Sequence, residues 1–203
     1  MSEHIIYPRK FKTLNEKRLF NELVGLCKNI LKEKLNIKFV YDQTQYKLYV
    51  KYTCVDIKSL YYGGEYLFML GNLKVLPNES PLLNFLTPSG RFQIDKRPCM
   101  CCILESQWHP VFTFCKIISS VISILENPSI NGTDFINESD AKKQSYAKSS
   151  QIHNLEHNNE ILKMFKEDEF PTEKINDTLR YLDSNILNEN IKEYVSSIMF
   201  KVI

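Results

Sequence analysis

The sequence predicts an α+β domain with an N-terminal helix, a four-stranded antiparallel meander and C-terminal helices. Three observations lead to this fold class. Apolar residues recur at helical spacing near the N-terminus, aromatic and β-branched residues fill 37–86, and helical spacing returns from residue 112. The connections between the β segments are too short for helical crossovers, so neighbouring strands are expected to pair antiparallel.

The first helix is expected over 14–34. Thr13 and Glu16 stand at its start with the spacing of a capping box, in which the two side chains accept hydrogen bonds from free amides of the first turn. One face of the helix is apolar and includes Phe20, Leu23, Cys27, Ile30 and Leu31. The other face carries four cations, which are Lys17, Arg18, Lys28 and Lys32.

Four strands are expected next, over 37–41, 46–52, 65–75 and 82–86. These segments are rich in aromatic and β-branched residues and alternate in part between apolar and polar positions. Gly63-Gly64 precedes the third strand, and a loop that contains two prolines separates it from the fourth. Both features are typical turn signals.

Helices are expected again over 112–126 and 139–152, and Asn127-Pro128 ends the first of them. Apolar residues also recur at helical spacing between 155 and 203. We therefore divide the chain into a core domain over 10–153 and a C-terminal helical extension over 154–203.

Composition narrows the classes of function. The formal charge of +2 is close to neutral, and this argues against a nucleic-acid partner. The N-terminus lacks the apolar run of a secretory signal, and the most apolar stretch, 114–125, is too short to be a transmembrane segment. These features predict a cytoplasmic protein whose six cysteines stay reduced.

Cys99 lies in an irregular segment between the last expected strand and the next helix, where a nucleophilic thiol can be presented. A cysteine protease would need a partner histidine, and His109 is followed by a proline in an expected turn. A zinc site at Cys99, Cys101 and Cys102 would need a second cysteine pair, which the sequence lacks. Residue chemistry alone therefore favours a thiol nucleophile and leaves its reaction open.

Several motifs supply a resemblance. Tyr62-Gly63-Gly64-Glu65-Tyr66, Ser106-Gln107-Trp108-His109-Pro110 and the order of expected elements resemble those of ubiquitin-conjugating enzymes over about residues 10–153. Thr87-Pro88-Ser89-Gly90-Arg91-Phe92 and Tyr146-Ala147-Lys148-Ser149-Ser150-Gln151 resemble the divergent, membrane-anchored class of endoplasmic-reticulum quality control. In that class the catalytic cysteine follows the phenylalanine by seven positions, and here this position is Cys99.

The resemblance implies an enzyme that receives ubiquitin as a thioester on Cys99 and transfers it to a substrate lysine. Ser89 stands where the family carries an Asn that steadies the loop and the oxyanion. The implied partners are ubiquitin, an activating enzyme that meets the cationic face with Lys17 and Arg18, a ubiquitin ligase that touches the loop at Pro110, and a protein substrate. No metal or small cofactor is implied, and the implied location is the cytosolic face of the endoplasmic reticulum.

Alternatives stay open. Counting backward from Trp108 makes Cys101 a second candidate nucleophile. Ser89 and Pro98 depart from the family pattern, as does a shorter loop over 77–81, so a catalytically weak or inactive variant that binds ubiquitin or a ligase is the alternative function. The stretch over 191–202 is amphipathic and would pack on the domain or dock on a partner or a membrane surface.

Overall fold

The computed structural model describes residues 13–33, 35–94, 96–100, 103–127 and 135–167. Helix α1 (Leu14–Glu33) comes first and strands β1 (Ile37–Asp42), β2 (Lys47–Thr53), β3 (Glu65–Gly71) and β4 (Leu82–Phe85) follow it. Helices α2 (Phe114–Glu126), α3 (Asp140–His157) and α4 (Asn159–Glu167) complete the described chain. Short 3₁₀ helices lie at Leu73–Val75 and Glu105–Gln107.

The four strands form one sheet in the order β1-β2-β3-β4, and each neighbouring pair is antiparallel. In the register of the sheet, Phe39 pairs with Val50, Val50 with Phe68, and Phe68 with Phe85. The predicted α+β fold of an N-terminal helix, a four-stranded antiparallel meander and C-terminal helices is thus confirmed.

One face of the sheet packs against α1 and α2 to form the main core. Buried side chains from β1 to β4 meet Leu23 of α1 and Ile117 and Val121 of α2. The N-terminus of α1 is capped as expected, because the Glu16 amide donates to the Thr13 hydroxyl at 3.1 Å.

Helix α4 covers the other face of the sheet. Val40 and Leu67 point to this side, and Leu162 and Phe165 of α4 pack on them. The Lys51 ammonium lies 5.4 Å from the centroid of the Phe165 ring, a cation–π contact. Apolar residues of adjacent strands are therefore buried on both faces of the sheet.

Three expected boundaries differ from those observed by two residues or more. Strand β3 ends at Gly71 rather than at residue 75, because Asn72 adopts a left-handed conformation with φ 59° and starts a 3₁₀ turn. Helix α2 begins at Phe114 rather than at residue 112, since Thr113 caps it by accepting the Lys116 amide.

Helix α3 runs to His157 instead of ending at residue 152, so the expected domain boundary at 153 falls within it. The division of the chain into two parts stays a prediction, because residues 168–203 lie outside the described ranges, and with them the amphipathic stretch over 191–202. Within the described ranges, no helix combines the length and apolar character that a bilayer-spanning helix needs.

Candidate functional site

Cys99 lies in the irregular segment between β4 and α2. It is a free thiol of intermediate exposure, whereas Cys27 and Cys54 are buried. Both of its neighbours, Pro98 and Met100, are buried. A thiol held between two buried residues is anchored on each side and still meets solvent, which is the arrangement that a nucleophile needs.

Two sets of hydrogen bonds shape this segment. The Met100 carbonyl accepts the amides of Ile103 and Leu104 at 2.9 and 3.0 Å, so the residue directly after Cys99 is held by two backbone bonds. Before Cys99, the Arg97 guanidinium donates to the Ser80 hydroxyl at 2.7 Å and to the Ile103 carbonyl. Arg97 therefore links two positions of the segment that carries Cys99 (the thiol segment, 97–103), namely residues 97 and 103. It also binds this segment to the loop before β4.

The preceding segment, residues 87–92, is attached to α3 through Thr87. The Thr87 hydroxyl accepts the Leu67 amide at 2.9 Å and donates to Asn154 Oδ1 at 2.5 Å. The Asn154 amide group in turn donates to the Glu65 carbonyl at 3.0 Å. Because Thr87 and Asn154 are both fully buried, these bonds link β3, the start of the segment and α3 in a solvent-free environment.

Ser89 supports a tight turn inside this segment. It is fully buried, and its hydroxyl accepts the amides of Arg91 and Phe92, each at 3.2 Å. Gly90 has φ 74°, and a Cβ there would lie 3.1 Å from the Lys143 side chain. Glycine is required at this position for both its backbone conformation and the close approach of α3.

Arg91 and Phe92 anchor the end of the segment. The fully buried Arg91 guanidinium donates to the carbonyls of Ile124 and Asn127 at the C-terminus of α2, where a cation is favourable. The Phe92 ring stacks on Phe85 of β4 with centroids 3.8 Å apart. Residues 87–92, the motif on which the resemblance rests, therefore contact the sheet, α2 and α3.

Trp108 joins the loop after Cys99 to the loop before β4. Its indole N–H donates to the Pro77 carbonyl at 2.9 Å, and its ring lies beside Phe112. His109 is exposed, and its Nδ1 accepts the Val111 amide at 3.3 Å within its own turn. The observed contacts of His109 are those of a turn residue.

The cationic face that the sequence predicts on α1 differs from the observed face at Arg18. Arg18 is largely buried, pairs with Glu22 at 2.9 Å and donates to the Phe112 carbonyl. Glu22 also accepts the Phe114 amide at 2.7 Å, and burial raises the pKa of its carboxyl while this hydrogen bond and Arg18 oppose the shift. Arg18 therefore fastens α1 to the start of α2, whereas Lys17 and Lys28 are exposed as expected.

The other described thiols are poor nucleophiles near neutral pH. Burial raises the pKa of Cys27 from 9.0 to about 12 and that of Cys115 from 9.0 to about 11. Burial also raises the pKa of Cys54, whose thiol donates to Glu126 at 3.0 Å.

Cys101 and Cys102 lie outside the described residues, so the choice between Cys99 and Cys101 stays a prediction. Among the residues that the structure does describe, no group of three or more His, Cys, Asp or Glu side chains is placed to hold a metal ion.

The sequence singled out Cys99, Ser89 and Trp108 as candidates but gave no indication of the residues that hold their segments. Arg97 and Asn154 were not singled out, because their roles depend on contacts with distant parts of the chain. The sequence carried no apolar signal for Asn154, because the buried face of α3, at Lys143, Ala147, Ser150 and Asn154, is mostly polar.

Comparisons with known proteins show which family this chain matches. The family model "Ubiquitin-conjugating enzyme" matches residues 18–158. The chain is 30% identical over 109 residues to "Ubiquitin-conjugating enzyme E2 6" of Schizosaccharomyces pombe, a match that covers 53% of this chain and about half (48%) of that protein. A crystal structure of a ubiquitin-conjugating enzyme E2 from Plasmodium falciparum is 18% identical with a TM-score of 0.50, covering 63% of this chain and 94% of that one. This structural likeness shows the fold alone.

Proposed function

Because the chain belongs to the ubiquitin-conjugating enzyme family, we propose that it accepts ubiquitin as a thioester on Cys99 and transfers it to substrate lysine. The observation that carries this proposal is the setting of Cys99, a half-exposed free thiol between buried Pro98 and Met100. It lies seven positions after the buried Phe92, the spacing of the membrane-anchored class that residues 87–92 resemble.

The first step is a thioester exchange. The Cys99 thiolate attacks the carbonyl carbon of the thioester that joins the ubiquitin C-terminus to the activating enzyme. A new carbon–sulfur bond forms to Cys99, the old one breaks, and the activating enzyme's cysteine leaves as a thiolate. The reactant is already activated, so the protein contributes mainly by placing the thiol and by stabilising the oxyanion of the tetrahedral intermediate.

The second step forms an amide. The substrate lysine amine attacks the Cys99 thioester, the nitrogen loses a proton to solvent or to a base, and Cys99 leaves as a thiolate. We propose that Ser89 assists here. Its two acceptor positions are occupied by the amides of Arg91 and Phe92, which leaves the hydroxyl proton as the group that would donate to an oxyanion.

The surfaces that would meet the partners lie beside this site. Lys17 on α1 is exposed and is proposed to contact the activating enzyme. The loop with Trp108 and exposed Pro110 is bound to the loop at Pro77, and this pair of loops is the proposed ligase contact. Assignment to the endoplasmic-reticulum class and to the cytosolic face of that membrane rests on the motif resemblance and is part of the proposal.

A second candidate function is that of a binding module which keeps the fold but transfers ubiquitin slowly or not at all. Ser89 favours this alternative because it is fully buried and its hydroxyl already serves its own turn. Pro98 also favours it, since a proline removes a backbone amide beside the nucleophile.

A charging reaction separates the two functions. The protein is incubated with activating enzyme, ATP and ubiquitin and then run on a non-reducing gel. The proposal expects a band larger by one ubiquitin that vanishes with thiol, is lost in Cys99→Ala and persists in the matched control Cys101→Ala. Absence of this band across several activating enzymes would favour the binding module, and its loss in Cys101→Ala alone would move the acceptor to Cys101.

A further inference from the structure

We infer that Arg97 is a positioning residue for the transfer reaction, acting through Ser80 and the Ile103 carbonyl to hold the segment that carries Cys99. This inference rests on the proposed function, in which Cys99 accepts ubiquitin. Arg97 would touch neither ubiquitin nor the reacting atoms, and its effect would be on where the thiol sits.

The contacts of Arg97 close the thiol segment into a ring. The guanidinium donates to the carbonyl of Ile103, six positions later in the chain, so side chain and backbone meet across the base of the segment. Ile103 is fully buried, and its amide is bound to Met100. Cys99 thus lies between two residues that are bound to Ile103, Arg97 through its side chain and Met100 through its carbonyl.

The same guanidinium nitrogen attaches this ring to the rest of the fold. It donates to the hydroxyl of Ser80 at 2.7 Å, and Ser80 is 3% exposed. The loop of Ser80 also receives the Trp108 indole N–H at the Pro77 carbonyl. The segments on both sides of Cys99 are therefore attached to one loop, through Arg97 before the thiol and through Trp108 after it.

Geometry rather than proton transfer is the expected contribution of Arg97. A guanidinium carries hydrogen-bond donors and no acceptor, so it cannot serve as the base that activates the thiol. Placement of a nucleophile is sensitive to small shifts, and a misplacement of about 1 Å can reduce a rate by about 10². A small alkylating reagent, which approaches from any direction, does not depend on such placement.

The test compares Arg97→Gln with Lys96→Gln, which removes the neighbouring exposed cation but not the ring. Single-turnover transfer of ubiquitin from the charged activating enzyme to each variant is measured over a range of concentrations of that variant. Arg97→Gln is expected to lower the maximal rate at least about tenfold and to leave the half-saturating concentration within about twofold. Lys96→Gln should leave both values within about twofold.

Ser80→Ala keeps the charge of Arg97 and removes the hydroxyl that accepts from it at 2.7 Å. It should lower the maximal rate in the same direction, and the double variant with Arg97→Gln should lose less than the product of the two single effects, because the two side chains act through one hydrogen bond. Additive effects of the two changes would contradict a shared role.

Alkylation of Cys99 by iodoacetamide, followed at each cysteine by mass spectrometry, separates placement from thiol reactivity. The alkylation rate of Arg97→Gln should stay within about threefold of the wild-type rate while transfer falls at least about tenfold. A fall in alkylation as large as the fall in transfer would overturn the inference, and so would an equal loss of transfer in Lys96→Gln.

Hydrogen exchange tests the ring even if the protein accepts no ubiquitin, a result that would refute the proposed function by itself. In Arg97→Gln the amides of Ile103 and Leu104 should exchange at least about tenfold faster, and in Lys96→Gln they should not change. Unchanged exchange at these amides in Arg97→Gln would overturn the inference.

Discussion

Five residues of the 87–92 segment each contribute a contact or a backbone conformation to it. Thr87 binds Asn154 of α3, Ser89 holds the turn, and Arg91 binds carbonyls at the end of α2. Gly90 supplies the positive φ, and Phe92 stacks in the core. The motif thus fixes the chain before Cys99 at several independent points, and its residue types follow from these contacts.

Ser89→Ala should lower the free energy of unfolding by about 1–3 kcal/mol, because it leaves two buried amides without their acceptor. Urea denaturation measures this loss, and Ser123→Ala, at an exposed position on α2, is the matched control with an expected change within about 0.5 kcal/mol. Equal stability of the two variants would contradict the structural role of Ser89.

The same variant tests the chemical role of Ser89. If its hydroxyl proton stabilises the oxyanion, Ser89→Ala should slow single-turnover transfer by about 10²–10³. A fully folded variant that transfers ubiquitin at the wild-type rate would restrict Ser89 to its turn.

At the scale of single residues, the sequence shows where the candidate site residues lie along the chain, but it does not show which distant residues they contact. The spacing from Phe92 to Cys99 is visible in the chain, and so is the substitution at Ser89. Arg91 could be recognised as part of a motif, but its binding to α2 depends on a distance of more than thirty residues along the chain. Arg97 lies outside the motifs that resemble the family, so its contacts became visible only in the structure.

At the scale of elements, α3 is the support for the site. Its buried face presents Ser150 to the Glu65 amide at 2.8 Å and Asn154 to Thr87. The Leu86 carbonyl accepts from both His153 and Asn158, each at 3.2 Å. Because these bonds end on β3 and on the residues just after β4, α3 sets the position from which residues 87–92 begin.

Thr87→Val should destabilise the protein by about 2 kcal/mol, since the buried Leu67 amide loses its acceptor and Asn154 Oδ1 loses the Thr87 hydroxyl while it keeps the Asn158 amide at 3.2 Å. Thr53→Val, at a half-buried position in β2, is the control with the same change of side chain and an expected effect within about 0.5 kcal/mol. Equal denaturation midpoints for the two variants would contradict the importance of this connection.

The helices show why some boundaries escaped prediction. Apolar spacing located α1 and α2 closely, because each buries an apolar face. Helix α3 buries Lys143, Ser150 and Asn154 instead, and no apolar periodicity marks where it ends. Polar residues that satisfy one another across the fold are not recognisable from spacing alone.

At the scale of the whole molecule, the sheet is covered on both faces. Helices α1 and α2 complete the main core, and α4 covers the second face with Leu162 and Phe165. The thiol segment contributes to the main core through buried Met100 and Ile103. Some residues therefore serve both the stability of the fold and the geometry of the site.

The buried thiols predict a loss of stability at alkaline pH. Well below pH 9 Cys27 and Cys115 are protonated in both the folded and the unfolded chain. As pH rises from 9.0 towards the folded pKa of about 12 for Cys27, the unfolded chain releases its thiol proton and the folded chain retains it, so unfolding is favoured. Each such group contributes a slope of about 1.4 kcal/mol per pH unit.

Urea denaturation under reducing conditions at about pH 8 and about pH 10 measures this loss. The variant Cys27→Ala should show a smaller decrease between these pH values than the wild type, because one group no longer titrates differently in the two states. An identical decrease in the two proteins would contradict the assignment of the effect to Cys27.

We propose above all that the Cys99 sulfur forms the thioester bond to ubiquitin, and Cys99→Ser tests this most directly. A serine hydroxyl forms an oxyester, which resists thiol treatment where a thioester does not. We expect Cys99→Ser, charged with activating enzyme, ATP and ubiquitin, to give a thiol-resistant adduct that mass spectrometry places on residue 99. A thiol-sensitive adduct that persists in this variant, or one that maps to residue 101 or 102, would contradict the account.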